Sequence, residues 1–203
     1  MAIHLHEGDL PEGLDLGPAV AVDTETMGLK PHRDRLCLVQ LSAGDGDAHL
    51  VRFAPGGCDA PRLKALLEDP AVLKIFHYGR FDIAVLRRWL GARTAPVWCT
   101  KIASRLTRTY TDRHGLKDLC RELLGVEISK EQQSSDWGAP VLSDAQLAYA
   151  AADVLHLHRL KDELERLLER EGRRELAEAA FRFLPWRAEL DLIAGEDEDI
   201  FAH

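Results

Sequence analysis

Four acidic residues stand in three apolar frames: Asp23 and Glu25 in AVAVDTETMGL, Asp82 in KIFHYGRFDIAVL and Asp153 in QLAYAAADVLHLHRL. Carboxylates gathered at one point repel strongly unless cations neutralise them. Hard oxygen ligands suit Mg²⁺ or Mn²⁺ rather than zinc. Two such ions, roughly 3.5–4 Å apart, stabilise both the attacking and the leaving oxygen of a phosphoryl displacement. Tyr149 lies four residues before Asp153. Its hydroxyl both donates and accepts, so it suits holding or helping to deprotonate an attacking water. Asp23, Glu25, Asp82 and Asp153 thus read as metal ligands, with Tyr149 a fifth catalytic group.

The neighbouring sequence supplies elements that bring these groups together. Ala19–Val22 is small, apolar and partly β-branched, as in a buried strand ending where the acids begin. Residues two apart on a strand share a face, so Asp23 and Glu25 aim at one point. Gly28 then lets the chain turn away. A second strand-like run, Val72–Phe76, leads through Tyr78-Gly79-Arg80 into a helix with Asp82 in its first turn, where the helix dipole favours an acid. Leu147, Ala150, Val154, Leu157, Leu160, Leu164 and Leu167 recur at helical steps, predicting one long helix over 143–170. Tyr149 and Asp153 share a face of it.

Taken singly, these residues have plainer readings. A lone Asp after a strand is usually a turn residue or helix cap. A lone Tyr is more often half-buried core. Asp153 is harder to dismiss, because it lies between Ala152 and Val154 in an alanine-rich helix. The combination is far more specific than any member.

DTET, HYGRFD and YAAAD resemble, in order, the three motifs of the DEDD 3′–5′ exonucleases, in the branch with tyrosine before the last acid. SSDWGAPVLSDAQLAYAAADVLHLHRL is similar to ribonuclease D. PHRDRLCLVQLS, CTKIASRLTRTYTDRHGLKDLC, ISKEQQSSDW and FLPWRAELDLI resemble the nanoRNase C family of short ribonuclease D relatives. The resemblance implies a ribonuclease H-like (DnaQ-like) α/β fold, a mixed sheet flanked by helices. It implies two Mg²⁺ or Mn²⁺ ions among the four acids and a water positioned by Tyr149. It implies 3′–5′ hydrolysis of very short oligoribonucleotides, including dinucleotides, to nucleoside monophosphates, and a homo-octameric ring.

Length and charge agree with a small substrate. The chain has 203 residues, enough for one exonuclease domain over 1–203 and no comfortable two-domain division. It ends soon after the nuclease helices, so the extra helical domains common in ribonuclease D-like proteins are expected to be missing. A net charge of −8 is unusual for gripping a long phosphate backbone. A local basic rim suffices for a dinucleotide; candidates lie in the stretch from Thr100-Lys101 to Arg113-His114, where Arg105, Arg108, Arg113 and His114 cluster, and a solvated helix face is the competing reading. Cys37, Cys58, Cys99 and Cys120 have no CxxC spacing and are expected to be free thiols, without zinc. With no secretory leader or long apolar span, the expected setting is the cytoplasm, away from membranes.

Further strands are predicted at 36–42, 48–53 and 97–99, with Asp45-Gly46-Asp47 as a hairpin turn. Helices are predicted at 60–68, 80–90, 100–108, 115–124 and 173–182. Residues 127–140 read as a polar loop over the site. Expected substrate contacts are Thr26, Met27, Gly28, Leu29, His77, Phe81, Arg108, His114 and Trp137. Leu29 reads either as a wedge between bases or as core. Trp137 reads more readily as a loop anchor than as a base-stacking platform. The apolar tail from 181 to 203 suits a subunit interface or packing on its own core. The competing functions are broader exonuclease work on longer RNA or on DNA, and a binding module with a spent site; the complete acid set argues against the last.

Overall fold

The computed structural model describes residues 2–129, 131–195 and 200. Six strands form one sheet in the order β1-β4-β3-β2-β5-β6. β2 (Ala19–Thr26), β3 (Leu36–Ser42) and β4 (Ala48–Arg52) make an antiparallel meander, while β5 (Leu73–Phe76) and β6 (Val97–Cys99) extend it in parallel on the β2 side. The residues before β2 supply β1 (Ile3–Glu7), parallel to β4 at the far edge. All seven β3 residues are buried, as befits a central strand covered on both faces.

Helices α1 (Pro61–Glu68), α2 (Arg80–Leu90), α3 (Thr100–Thr107), α4 (Leu116–Leu119), α5 (Asp144–Leu155), α6 (Leu157–Arg170) and α7 (Arg174–Ala194) complete the described structure, with a π-helical turn at Cys120–Leu124. α5 packs over β2, β3 and β4, and α2 packs against β2, β3 and α7. Lys74, fully buried in β5, donates to the carbonyls of Asp69 (2.7 Å), Val72 (2.6 Å) and Ala95 (2.6 Å). Three acceptors match the three donors of an ammonium, and the lysine ties the start of its strand to the turns before β5 and before β6.

Three expectations need correction. The long helix predicted over 143–170 breaks at His156, whose backbone (φ −105°, ψ −5°) ends α5 and begins α6. The apolar periodicity runs through the break, so it does not reveal it. Ser143 and Gln146 form a reciprocal capping box that fixes the start of α5. The helix predicted at 115–124 gives way to the π turn after Leu119. The helix predicted at 173–182 continues to Ala194 despite Pro185. Burial of Phe181, Leu184 and Ala188 carries it through the proline, so 181–194 packs on the protein's own core. The expectation for residues 196–199 and 201–203 lies outside the described residues.

Ion pairs hold α7 against α2. Asp191 receives Arg80 through two hydrogen bonds of 2.6 and 2.7 Å and lies 2.7 Å from Arg187. Glu189 receives Arg87 at 2.7 Å. Asp191 is buried, so its loss leaves partly buried guanidinium groups without their counter-charge. Asp191→Ala is expected to lower unfolding free energy by about 3 kcal/mol, measured by urea denaturation; a loss below about 0.5 kcal/mol would show that α7 is held otherwise.

Candidate active site

β5 stops at Phe76 while β2 runs on. Ala21 pairs with Ile75, so Asp23 lies beyond the last β5 partner and keeps a strand neighbour on the β3 side, Gln40. The chain leaving β5 turns through His77, Tyr78 and Gly79 into α2. Tyr78 has a left-handed backbone (φ 64°), uncommon for a residue with a Cβ. A Cβ on Gly79 would lie 2.6 Å from that of Phe76, so the tight turn requires glycine here. The turn opens a gap at the end of the sheet, into which α2 brings Asp82.

Strand alternation sends Asp23 and Glu25 to one side of β2, toward α5. One carboxylate oxygen from each of Asp23, Glu25 and Asp153 lies within 4.8 Å of the other two. Thr24 points the other way and its hydroxyl donates to Asp82 Oδ1 at 2.6 Å. Gln40, fully buried, donates through Nε2 to Asp23 Oδ2 at 3.4 Å. The Tyr149 hydroxyl sits beside Asp153, whose charge bears on it.

The acids bear the mark of this crowding. Burial, then the charges of Asp82, Asp153 and Glu25, raise Asp23 well above the carboxylate range. Burial, then Asp153 and Asp82, push Glu25 up to about 9. Burial brings Asp82 to about 7, against the opposing bond from Thr24. Burial and the neighbouring acids raise Tyr149 too, keeping its hydroxyl protonated. Converging oxygen donors with excess negative charge fit hard divalent cations, and the residues able to hold them are Asp23, Glu25 and Asp153, with Asp82 alongside.

Asp23, Glu25, Tyr149 and Asp153 line a cleft of about 610 Å³, with Asp82 buried behind them. Thr26, Met27, Gly28, Leu29, His77, Phe81 and Trp137 line it as well, so most of the expected contacts converge there. Leu29 is 79% exposed and Met27 51%, which excludes the core reading of Leu29. Trp137 is buried, its ring 6.0 Å from Tyr149, consistent with the anchor reading. Thr26 turns its hydroxyl to the Gly28 carbonyl.

Arg108 and His114 are corrections. Arg108 is buried, paired with Glu122 and donating to Ser104 Oγ (3.0 Å) and the Arg113 carbonyl (2.7 Å). His114 bonds through Nδ1 to Ser104 Oγ at 2.8 Å. Neither lines the cleft; together they knit the end of α3 to the loop after it. The basic residue of that stretch which does reach the cleft is Lys101, its Nζ 4.0 Å over the Tyr78 ring. Helical spacing in α3 carried that signal, since Lys101 follows directly on the sheet. Tyr78, Lys117, Thr24 and Gln40 were missed, and for Gln40 only its register opposite Asp23 would have pointed to it. His158 bonds to the Ala19 carbonyl at 3.1 Å.

Residues 9–169 match the family described as 3′–5′ exonuclease. Ribonuclease D of Gluconacetobacter diazotrophicus is 40% identical over 162 residues, covering 80% of this chain and 41% of that protein. Ribonuclease D of Escherichia coli is 34% identical over 149 residues, covering 73% and 39%. The chain thus spans about two fifths of the length of these curated relatives. Among solved structures, Brucella melitensis NrnC bound to pGG is 60% identical with TM-score 0.97, covering 100% of this chain and 99% of that one. The same protein with bound Mg²⁺ is 59% identical with TM-score 0.96 over the whole of both chains. Escherichia coli ribonuclease D has TM-score 0.74 at 28% identity, over 85% of this chain and 45% of that one. The fold is the ribonuclease H-like one.

Raised carboxylate pKa values mean that, without cations, the folded state loses stability as pH rises from the unfolded carboxylate range through about 7 to 9. Cations that bind the folded state reverse that loss. Mg²⁺ at millimolar concentration is therefore expected to raise Tm by several degrees, more at pH 8 than at pH 6. Asp153→Asn should raise Tm in EDTA and remove most of the Mg²⁺ response. Calorimetry showing the same Mg²⁺ shift in both proteins would refute this assignment of the acids.

Proposed function

This chain belongs to the 3′–5′ exonuclease family, as a short ribonuclease D-like hydrolytic enzyme, and we propose that it cuts very short oligoribonucleotides, dinucleotides above all, to nucleoside 5′-monophosphates. The observation that carries the reading is the meeting of Asp23 and Glu25 from one segment with Asp153 and Tyr149 from a distant one in a single cleft, with the buried Asp82 of a third segment behind them. The dinucleotide preference draws on three supports. The cleft is in the size range of small-molecule sites. Among the described residues its cationic side chains are two lysines, Lys101 and Lys117, in a protein of net charge −8. The similar Brucella protein was solved with pGG, over essentially its whole length.

In the proposed reaction Asp23, Glu25, Asp82 and Asp153 hold two Mg²⁺ or Mn²⁺ ions, which when bound neutralise the acids and polarise the phosphoryl group. Tyr149, kept protonated by its surroundings, orients the attacking water without taking its proton. The water oxygen bonds to phosphorus, and the bond to the 3′ oxygen of the preceding nucleotide breaks. The proton that the water gives up passes through solvent to that oxygen as the 5′-monophosphate leaves. Gln40 and Thr24 hold Asp23 and Asp82 in place. Thr26, Met27, Gly28, Leu29, His77 and Phe81 form the wall for sugar and base.

We place this work in the cytoplasm, where four free thiols are at home; among the described residues no helix is long and apolar enough to cross a membrane. A homo-octamer is supported by the apolar groups that α7 leaves outside, Leu176, Trp186 and Ile193, beside a groove of about 690 Å³ walled by Pro96, Trp98 and Pro185. A monomeric mass by light scattering would refute it.

Turnover of 5′-labelled RNAs from two to about ten nucleotides tests the substrate. The dinucleotide is expected to turn over at least tenfold faster than the longest, and Tyr149→Phe to lower kcat at least tenfold with little change in KM. Flat or rising rates with length would make the protein a broader exonuclease on longer RNA or DNA.

A further inference from the structure

The hairpin loop between β2 and β3 carries the two exposed apolar side chains of the cleft wall, Met27 and Leu29. A nine-residue connection with an exposed leucine has little apolar burial of its own to hold it still. Here it is braced from within. The neck closes through the Met27 N–H donating to the Arg35 carbonyl at 3.0 Å. Inside it, the buried Asp34 carboxylate accepts from the Lys30 N–H at 2.9 Å. Arg33 donates to the same carboxylate at 2.6 and 3.0 Å, and with the Lys30 N–H holds Asp34 ionised, down to about 2.

Gly28 is the seat of this brace. Its backbone is not left-handed, so no turn requires glycine there. A Cβ would instead fall 2.4 Å from Asp34 Oδ2 and 2.9 Å from Cγ. From outside, the Trp89 indole on α2 donates to the Pro31 carbonyl at 3.0 Å. Gly138, in the loop over the site, presses so close that a Cβ would lie 2.3 Å from Met27 Sδ and 2.9 Å from Arg35 Nη2. Two glycine contacts and one buried carboxylate therefore pin the segment that bears Met27 and Leu29.

We propose that Asp34, seated against Gly28, is a positioning residue that sets Leu29 and Met27 as a rigid apolar edge for the substrate's bases. The inference rests on the proposed action on short RNA and adds what fixes the cleft wall. A wall fixed before binding spares the ordering cost that a mobile loop would meet on each encounter. Its contribution is therefore to binding, and the chemistry of the acids is untouched.

A double-mutant cycle on a dinucleotide tests this. Asp34→Ala is expected to raise KM about tenfold with kcat changed less than twofold, and Leu29→Ala to do much the same. In the double variant Asp34→Ala should add less than twofold, because the edge it positions is gone. Gly28→Ala, which attacks the brace from the other side, should reproduce the KM effect, and adding Asp34→Ala to it should change KM less than twofold further, because both act on the same brace. Calorimetry accompanies each variant, so that a fold defect shows as a lowered Tm and a lowered active fraction. The proposal is overturned if Asp34→Ala leaves KM unchanged, if its tenfold effect persists in the Leu29→Ala background, or if the loss falls on kcat. Failure of the wild-type protein to cleave dinucleotides would instead overturn the substrate reading, and the same cycle on a longer RNA would then test the brace.

Discussion

Mutual repulsion among four carboxylates is the constraint around which this fold is arranged. No single element brings them together, and none would do so unaided, because each group approaches the others against its own charge. The sheet supplies the frame. β2 outruns β5, so the acids at its end project into a gap and not into a neighbouring strand. Thr24 and Gln40 then hold individual oxygens with neutral donors, which fix orientation without neutralising the charge. The remaining excess is what makes the cluster receptive to hard cations.

The same constraint explains the reinforcement found far from the cleft. Asp82 enters on the first turn of α2, whose place is fixed by the buried Asp191 of α7 gripping Arg80. The buried ammonium of Lys74 fastens the start of β5, the strand that delivers the chain to that turn. The first is an ion pair and the second a charged donor on neutral carbonyls, and for both, losing one partner inside the protein costs more than the contact contributes. They serve definition of position more than net stability, which is what a site of opposing charges needs.

How much of this the sequence disclosed depended on the kind of signal. The acids and Tyr149 were legible because their frames are local: a small apolar run before Asp23, a four-residue step from Tyr149 to Asp153. The meander and the crossover strands followed from period and turn residues. Arg108 and His114 misled because charge composition cannot distinguish a guanidinium facing solvent from one paired inside the protein with Glu122, fourteen residues on. The extension of α7 past Pro185 was hidden for a related reason. A proline is a local stop signal, and the burial of Leu184 and Ala188 that overrides it is tertiary. His156 shows the converse, a break in backbone where the apolar period continues unbroken.

Gly28 joins these threads. As a letter in DTETMGL it reads as a turn residue, and the reading is sound by habit. The structure assigns it another task, since its backbone angles suit any residue and only the approach of Asp34 forbids a side chain. Glycine used for space, unlike glycine used for φ, leaves no mark in local sequence, because the atom that needs the room comes from elsewhere in the chain. A cleft wall built this way owes its rigidity to contacts rather than to conformational preference. Its stiffness and its position are then one property, and a change that loosens the wall also moves the surface the bases would meet.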